Sequence, residues 1–489
     1  MAESTNTRKK TERRTDLLKI FLGLAIFLFF LLVNPFGMET LASKVLAVAI
    51  LMIFWWISEA IPMPVVALLP LLLFPLLKIS SISETATPYS NEVIFLFMGG
   101  FLIGLGIEKW GLHKRIALNI VSLTGTSGNK IILGFILSSG FISMWLSNTA
   151  TTMMMYPIAA SVIAVVFDMN EGERSKKNFA LSMMLSIAYA SNFGGIATII
   201  GTPPNVAYVS FISKKYQYDI SFFDWMFVAM PVAIFLLIFL YIVLVFIYPN
   251  HMKKNGALEL MISSELKKLG PITKPEKRVL AIFLLTAVLW ITRDMINQLH
   301  IVKLDDNMIA IFGAVCMFLV PSGNMQKPHE RLLVWNDTHK MAWGILLLFG
   351  GGIALAAALE KSGIIHLMGG LLSSSSSQSV LLVILLVTVL SIFISEVMSN
   401  VAQVIVFAPL ITGIAEAMNI NPFLLGIPMT LAASCASMLP MGTPPNAIVF
   451  SSGHIKIGEM IKAGWIMNLI SIALIVLASY YLVPLVMHR

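Results

Sequence analysis

SMWLSNTATTMMMYP (residues 143–157) and SEVMSNVAQVIVFAP (residues 395–409) are one phrase written twice. The offset is constant at 252: Ser147 answers to Ser399, Asn148 to Asn400 and Pro157 to Pro409. It extends upstream, where Gly99-Gly100 and Glu108-Lys109-Trp110-Gly111 recur as Gly351-Gly352 and Glu360-Lys361-Ser362-Gly363. Each phrase is followed by Gly-Thr-Pro-Pro-Asn, once at 201–205 and again at 442–446. Polar, helix-breaking words repeated inside two apolar halves are the pattern of a secondary transporter built from an internal repeat.

The surrounding composition agrees. Of 489 residues, 57% are hydrophobic and 12% charged, and the mean hydropathy is +0.86. Many apolar runs reach the ~20 helical residues that a bilayer core requires. The fold class is therefore all-α and polytopic, with the lipid bilayer as solvent. A net charge of +8 does not point to nucleic acid, because positive loops in a membrane protein record orientation. Cys316 and Cys435 lie in apolar runs and imply no disulfide framework or thiolate metal site. The basic start followed by an apolar run resembles a secretory signal, but Asn34-Pro35-Phe36-Gly37 follows without a small-residue cleavage pattern. An uncleaved first span behind a cytoplasmic tail (1–16) is expected.

About eleven spans, two re-entrant hairpins and two broken helices account for the chain. The first half (17–248) holds a scaffold at 17–110, an interfacial arm at 111–123, a hairpin at 130–167, a broken helix at 179–211 and a span at 222–248. The segment 130–167 is too long for one straight crossing, and its polar centre suits a hairpin tip; such backbone survives at depth only when buried in protein or lining a wet cavity. Residues 168–178 read as a hydrophilic loop and 249–277 as a polar cytoplasmic linker. The second half repeats the plan: scaffold 278–359, arm 360–377 with a flexible serine run at 373–377, hairpin 380–418, broken helix 423–452 and last span 461–487. This arrangement places 25 of the 33 Lys and Arg residues inside and 8 outside. The bias predicts a cytoplasmic N-terminus, an extracellular C-terminus and inverted halves whose tips approach one another near the midplane.

Ser and Thr hydroxyls and the Asn amide donate and accept hydrogen bonds. Broken helices add free N–H groups suited to an anion and free carbonyls suited to a small hard cation. No Lys or Arg lies in 138–160, 186–210, 391–412 or 431–452, so a carboxylate and Na⁺ would be held without a fixed positive charge. Small polar residues in membrane helices usually serve packing; duplication in register, each copy followed by a break, favours a site instead. Ser143 and Ser147, like Ser395 and Ser399, lie four apart and are expected on one helical face. Glu396 precedes the second tip, and neutralising a helix end or coupling are both open to it; its counterpart is Met144, and the sequence assigns it no role. The loop histidines His113, His251, His329 and His454 read as solvated.

At this point the chain resembles the divalent anion/sodium symporter family, on its twin tips, its twin Gly-Thr-Pro-Pro-Asn breaks, WWISEAIPMP (55–64) and LFGGGIALAAALEKSG (348–363). The resemblance runs from about residue 17 to 487. It implies a homodimer whose protomers each carry a scaffold and an elevator-like transport domain, and Na⁺-driven uptake of succinate, fumarate or malate. By the family pattern, Ser143, Ser147, Asn148 and the Gly201 region form one Na⁺ site, and Ser395, Asn400 and the Gly442 region its twin. Asn148, Thr149, Ser399, Asn400 and Thr443 would face the substrate. The second tip departs from the pattern, with Val401 opposite Thr149 and Gln403 opposite Thr151, which bears on substrate preference. A Na⁺-independent exchanger and a tricarboxylate (citrate) carrier are the alternatives within the family. An intramembrane enzyme would want clustered His, Asp or Cys at depth, and a channel would not want a closed twin site.

Overall fold

The computed structural model describes residues 2–168, 172–252, 256–300, 302–323, 329–364 and 379–487, with side chains of 2–16 and 257 excepted. Among these residues all regular structure is helical, apart from one isolated bridge between Pro321 and Arg331. The serine run 373–377 and most of the second arm lie outside the described residues.

The first half opens with α1 (Ala2–Val33) and α2 (Thr40–Ser58), which pack on one another. The third expected span, 61–77, is two short helices, α3 (Met63–Val66) and α4 (Leu69–Leu76). Pro70 accounts for the division: in the first turn of α4 it withholds an N–H and clashes with the preceding turn, whereas Pro64 starts α3 and Pro75 lies within α4. Next come α5 (Ile82–Ala86), a 3₁₀ turn, α6 (Glu92–Lys109) and the arm α7 (Leu112–Thr124). The expected hairpin is α8 (Gly128–Ser143) and α9 (Asn148–Phe167). The first broken segment is α10 (Glu173–Gly195) and α11 (Pro203–Tyr216), and α12 (Phe222–Ile247) closes the half. Helix α10 begins inside the stretch read as the 168–178 loop, which is correspondingly shorter.

The linker is not purely a linker: α13 (Gly256–Leu269) lies within it and packs on α7 and α9. Leu258 and Ile262 are buried, so this short amphipathic helix is held by its apolar face. Arg115 of α7 fastens the linker's end, donating to the carbonyls of Leu269 (3.1 Å) and Gly270 (2.9 Å). Its Nε also donates to Glu276 Oε1 (2.7 Å), in the capping box that starts α14 (Lys274–Gln298). His113, on the same arm, is buried rather than solvated, with Nδ1 3.2 Å from Ile107 O. Burial pushes its pKa below the usual imidazole value.

The second half follows with α15 (Asp306–Leu319), α16 (Trp343–Lys361), hairpin α17 (Val380–Ser395) and α18 (Asn400–Ala417), broken segment α19 (Phe423–Ala433) and α20 (Pro444–Phe450), and α21 (Ile457–Val486). Eight described segments are long and apolar enough to cross a membrane, and shorter apolar helices such as 17–33, 63–76 and 306–319 accompany them. Helices α8, α17 and α19 have 16, 16 and 11 residues, short of the ~20 a crossing needs. They are the hairpin arms and half-helix that the duplicated words mark.

The broken helices form the centre of the packing. Every residue of α10 from Phe179 to Gly195 is buried, as is every residue from Ile427 to Ser437 in and after α19. Helix α10 packs on α8, α9 and α12, and α19 packs on α17, α18 and α21. The repeats also interlock: α9 of the first hairpin touches α20, and α18 of the second touches α11. Each tip is thus held between its own break and the break of the other half.

Candidate functional site

The first tip forms because Ser147 ends one helix and starts another. Its backbone is extended (φ −61°, ψ 144°) and its hydroxyl accepts from Ala150 N at 3.2 Å, an N-cap for α9. Ser143 closes α8, and its Oγ donates to Asn148 Oδ1 at 2.8 Å. Ser143 and Ser147 therefore do not share one helical face: the helix stops between them, and Ser143 is paired with Asn148 instead. The second tip repeats the device. Ser395 Oγ reaches Asn400 Oδ1 at 2.7 Å and also contacts the Ala433 carbonyl, and Ser399 stands at the N-cap position of α18 with extended backbone but without the side-chain bond that Ser147 makes.

The breaks are equally matched. Asn205 Nδ2 donates to Thr198 O (2.8 Å) and Gly195 O (3.5 Å). Asn446 Nδ2 donates to Leu439 O (3.2 Å) and Ala436 O (3.3 Å). All three positions are related by one offset of 241, so the last letter of each Gly-Thr-Pro-Pro-Asn word folds its own loop. The paired prolines lack the N–H that a continuing helix would need and sit at the first turn of α11 and α20, where it is not missed.

Tip and break meet at glycines. A Cβ on Gly195 would overlap Asn148 Oδ1. A Cβ on Gly201 would meet the carbonyl oxygens of Ser143 and Met144, each at 3.0 Å, and that of Gly195. A position over Gly201 thus faces three neutral backbone oxygens, a donor set that suits a small hard cation, and the Asn148 amide lies against Gly195, whose carbonyl is one of the three. In the second repeat a Cβ on Gly442 would meet Leu439 O at 3.4 Å and Glu396 Oε2 at 3.2 Å.

Asn192, unremarked in the sequence, ties the halves together. From the last turns of α10 its Nδ2 donates to Thr443 Oγ1 (3.0 Å) and Asn446 Oδ1 (3.3 Å). Thr443 also accepts from Asn446 N at 3.3 Å as the N-cap of α20. With both lone pairs engaged, its hydroxyl has only its proton to offer, which is what a carboxylate oxygen accepts. Asn148 and Thr443, from different repeats, so lie against the same end of α10. Thr443→Val removes that donor and the cap together, and half-saturation by a carboxylate ligand held there should rise about fivefold or more. An unchanged value in a competition assay would place Thr443 away from the ligand.

The remaining predicted residues are more open. Thr149, Ser399 and Asn400 are partly exposed, and among the described residues the hydroxyls of Thr149 and Ser399 have no protein partner. Ser147 lines a cavity of about 100 Å³ with Ala150, Ile200, Glu108 and Lys340. Among the described residues no Lys, Arg or His pairs with either tip.

Comparison with known proteins extends these observations. Residues 14–488 match the family described as the sodium:sulfate symporter transmembrane region. The chain is 38% identical over 488 residues to the sodium-dependent dicarboxylate transporter SdcS of Staphylococcus saprophyticus, covering 98% of this chain and 94% of that one. It is also 38% identical over 491 residues to the protein of the same name from Staphylococcus aureus strain USA300, covering 99% and 94%. Two solved structures share the fold at low identity. MtrF of Neisseria gonorrhoeae has a TM-score of 0.53 at 9% identity, covering 81% of this chain and 83% of that chain. The YdaH transporter of Alcanivorax borkumensis has 0.54 at 13%, covering 82% and 86%.

Proposed function

The chain belongs to the sodium:sulfate symporter family, and from that premise we propose that it is a multi-pass membrane carrier for Na⁺-coupled uptake of C4-dicarboxylates such as succinate, fumarate and malate. The observation that carries this reading is the duplicated tip: Ser143 with Asn148, and Ser395 with Asn400, each beside the glycine of a broken helix. Relatives that align along nearly their whole length bear the name of sodium-dependent dicarboxylate transporter.

Ser143, Ser147, Asn148 and the Gly201 region hold one Na⁺; Ser395, Asn400 and the Gly442 region hold another. Asn148, Thr149, Ser399, Asn400 and Thr443 face the dicarboxylate. The chemistry explains why the two solutes travel together. A dianion in a low-dielectric site with no cationic side chain is costly, because dipoles do not cancel its charge. Na⁺ bound alongside supplies the missing positive charge, and leaves with the substrate instead of trapping it. Each solute then raises the affinity for the other by the same factor.

The hairpins, the broken helices and the arms form the mobile part, and α1–α6 with α14–α16 form a scaffold that dimerises. The N-terminus lies in the cytoplasm and the C-terminus outside, with the halves inverted. Single cysteines in place of Lys268 on α13 and Lys214 at the end of α11 flank one crossing, α12, and should label from opposite faces of the membrane. Labelling of both from outside in intact cells would remove the inverted arrangement. For the ligand, equilibrium binding of labelled succinate to the purified protein decides: binding in NaCl but not in choline chloride, displaced by fumarate and malate, supports the proposal. Displacement by sulfate alone would transfer the reading to an inorganic dianion, and displacement by citrate alone to a tricarboxylate.

A further inference from the structure

The two repeats fasten break to tip by the same pair of positions with the roles exchanged. In the first, the break supplies the side chain: Thr198 Oγ1 donates to Met144 O at 2.5 Å and accepts from Gly201 N at 3.0 Å. The equivalent positions in the second are Leu439 and Glu396. Leu439 has no hydroxyl, and here the tip supplies the side chain. Glu396 Oε1 accepts from Ser437 N and Met438 N, both at 2.9 Å, and Oε2 accepts from Met438 N (3.1 Å) and Leu439 N (2.9 Å). Asn468 on α21 donates its Nδ2 to Oε1 at 2.7 Å.

Glu396 is 4% exposed. In all five contacts its oxygens are acceptors, the pattern of an ionised carboxylate. Three successive backbone N–H groups make a nest that stabilises an anion, yet they carry no net charge, and among the described residues no cationic side chain pairs with Glu396. The second break therefore holds a formal negative charge, and the first holds none. That charge stands 3.2 Å from the space over Gly442, whereas neutral carbonyls surround the space over Gly201.

We infer that Glu396 is a positioning residue of the second cation site, and that its charge makes the two sites unequal, the second binding Na⁺ more tightly and filling first. The inference rests on the twin cation sites proposed above. The carboxylate oxygens are spent on the 437–439 backbone, so Glu396 acts by holding that loop and by its field. A fixed anion a few ångströms from a cation in a low-dielectric site lowers the cation's energy far more than the same charge would in water.

Glu396→Gln keeps the shape, removes the charge and turns an amide NH₂ toward N–H donors. The Na⁺ concentration for half-maximal dicarboxylate uptake should rise about tenfold or more. Dicarboxylate half-saturation at saturating Na⁺ should change by less than about twofold, a split that general loosening of the fold would not produce. The double variant Glu396→Met with Leu439→Thr rebuilds the first repeat's fastening without the charge. It should transport, with Na⁺ half-activation still raised several-fold, and it carries the test where the single variant does not fold. Unchanged Na⁺ dependence in Glu396→Gln, or wild-type Na⁺ affinity in the double variant, would overturn the inference. A wild-type protein indifferent to Na⁺ would instead overturn the proposed function, before either variant is read.

Discussion

Alanine at Gly195 is expected to raise the Na⁺ requirement of transport by roughly five- to a hundredfold in a protein that still reaches the membrane. The new methyl would occupy the place of Asn148 Oδ1. The backbone of α10 cannot retreat, because it is buried on all sides from Phe179 onward and Gly194 already lies against the Gly140 carbonyl. Asn148 must therefore swing out, losing the 2.8 Å bond from Ser143 and leaving the proposed first cation site. An orphaned buried polar group costs about 1–3 kcal/mol, so Na⁺ affinity should fall by roughly five- to a hundredfold. Gly→Ala inside a helix otherwise favours the fold, which separates this effect from simple unfolding. Na⁺ titration of uptake at fixed protein level is the measurement, and Na⁺ dependence like that of the wild type would dissociate Asn148 from the cation.

Asn148→Ala and Asn400→Ala should act alike, each raising the Na⁺ requirement about tenfold or more. Each removes an amide oxygen that a serine hydroxyl holds at 2.7–2.8 Å. Residues that serve one coupled event do not add simply, so the double variant should be inactive at any practicable Na⁺ concentration. If only one single variant shifts the Na⁺ curve, the two tips do not do the same work.

Much of this architecture was legible because the chain repeats itself. A Ser-Asn pair read once is packing; read twice at one offset, each time ahead of two prolines, it marks a place where both halves stop being helix. Proline chemistry located the breaks, and apolar run length located the hairpins. The pairing within each tip was not legible, since Ser143 and Ser147 sit at helical spacing and only the structure shows that the helix ends between them. Glu396 was opaque for a different reason. Its partners are backbone N–H groups some forty residues downstream, and a backbone N–H leaves no mark in a sequence. Asn192 was hidden for the same kind of reason: its partners, Thr443 and Asn446, belong to the other repeat. The linker helix α13 was missed because a lysine-rich stretch reads as solvated, although Leu258 and Ile262 are enough to hold one face against the arm.

The central claim is that the twin tips make Na⁺ and a dicarboxylate cross together. It is tested most directly by uptake of labelled succinate into proteoliposomes holding the purified protein, with an inward Na⁺ gradient or an equal K⁺ gradient. The account predicts concentrative uptake with Na⁺, collapse of the accumulated pool when the gradient is dissipated, and none with K⁺. Equal uptake under both gradients, driven only by succinate preloaded inside, would contradict it and make the protein an exchanger.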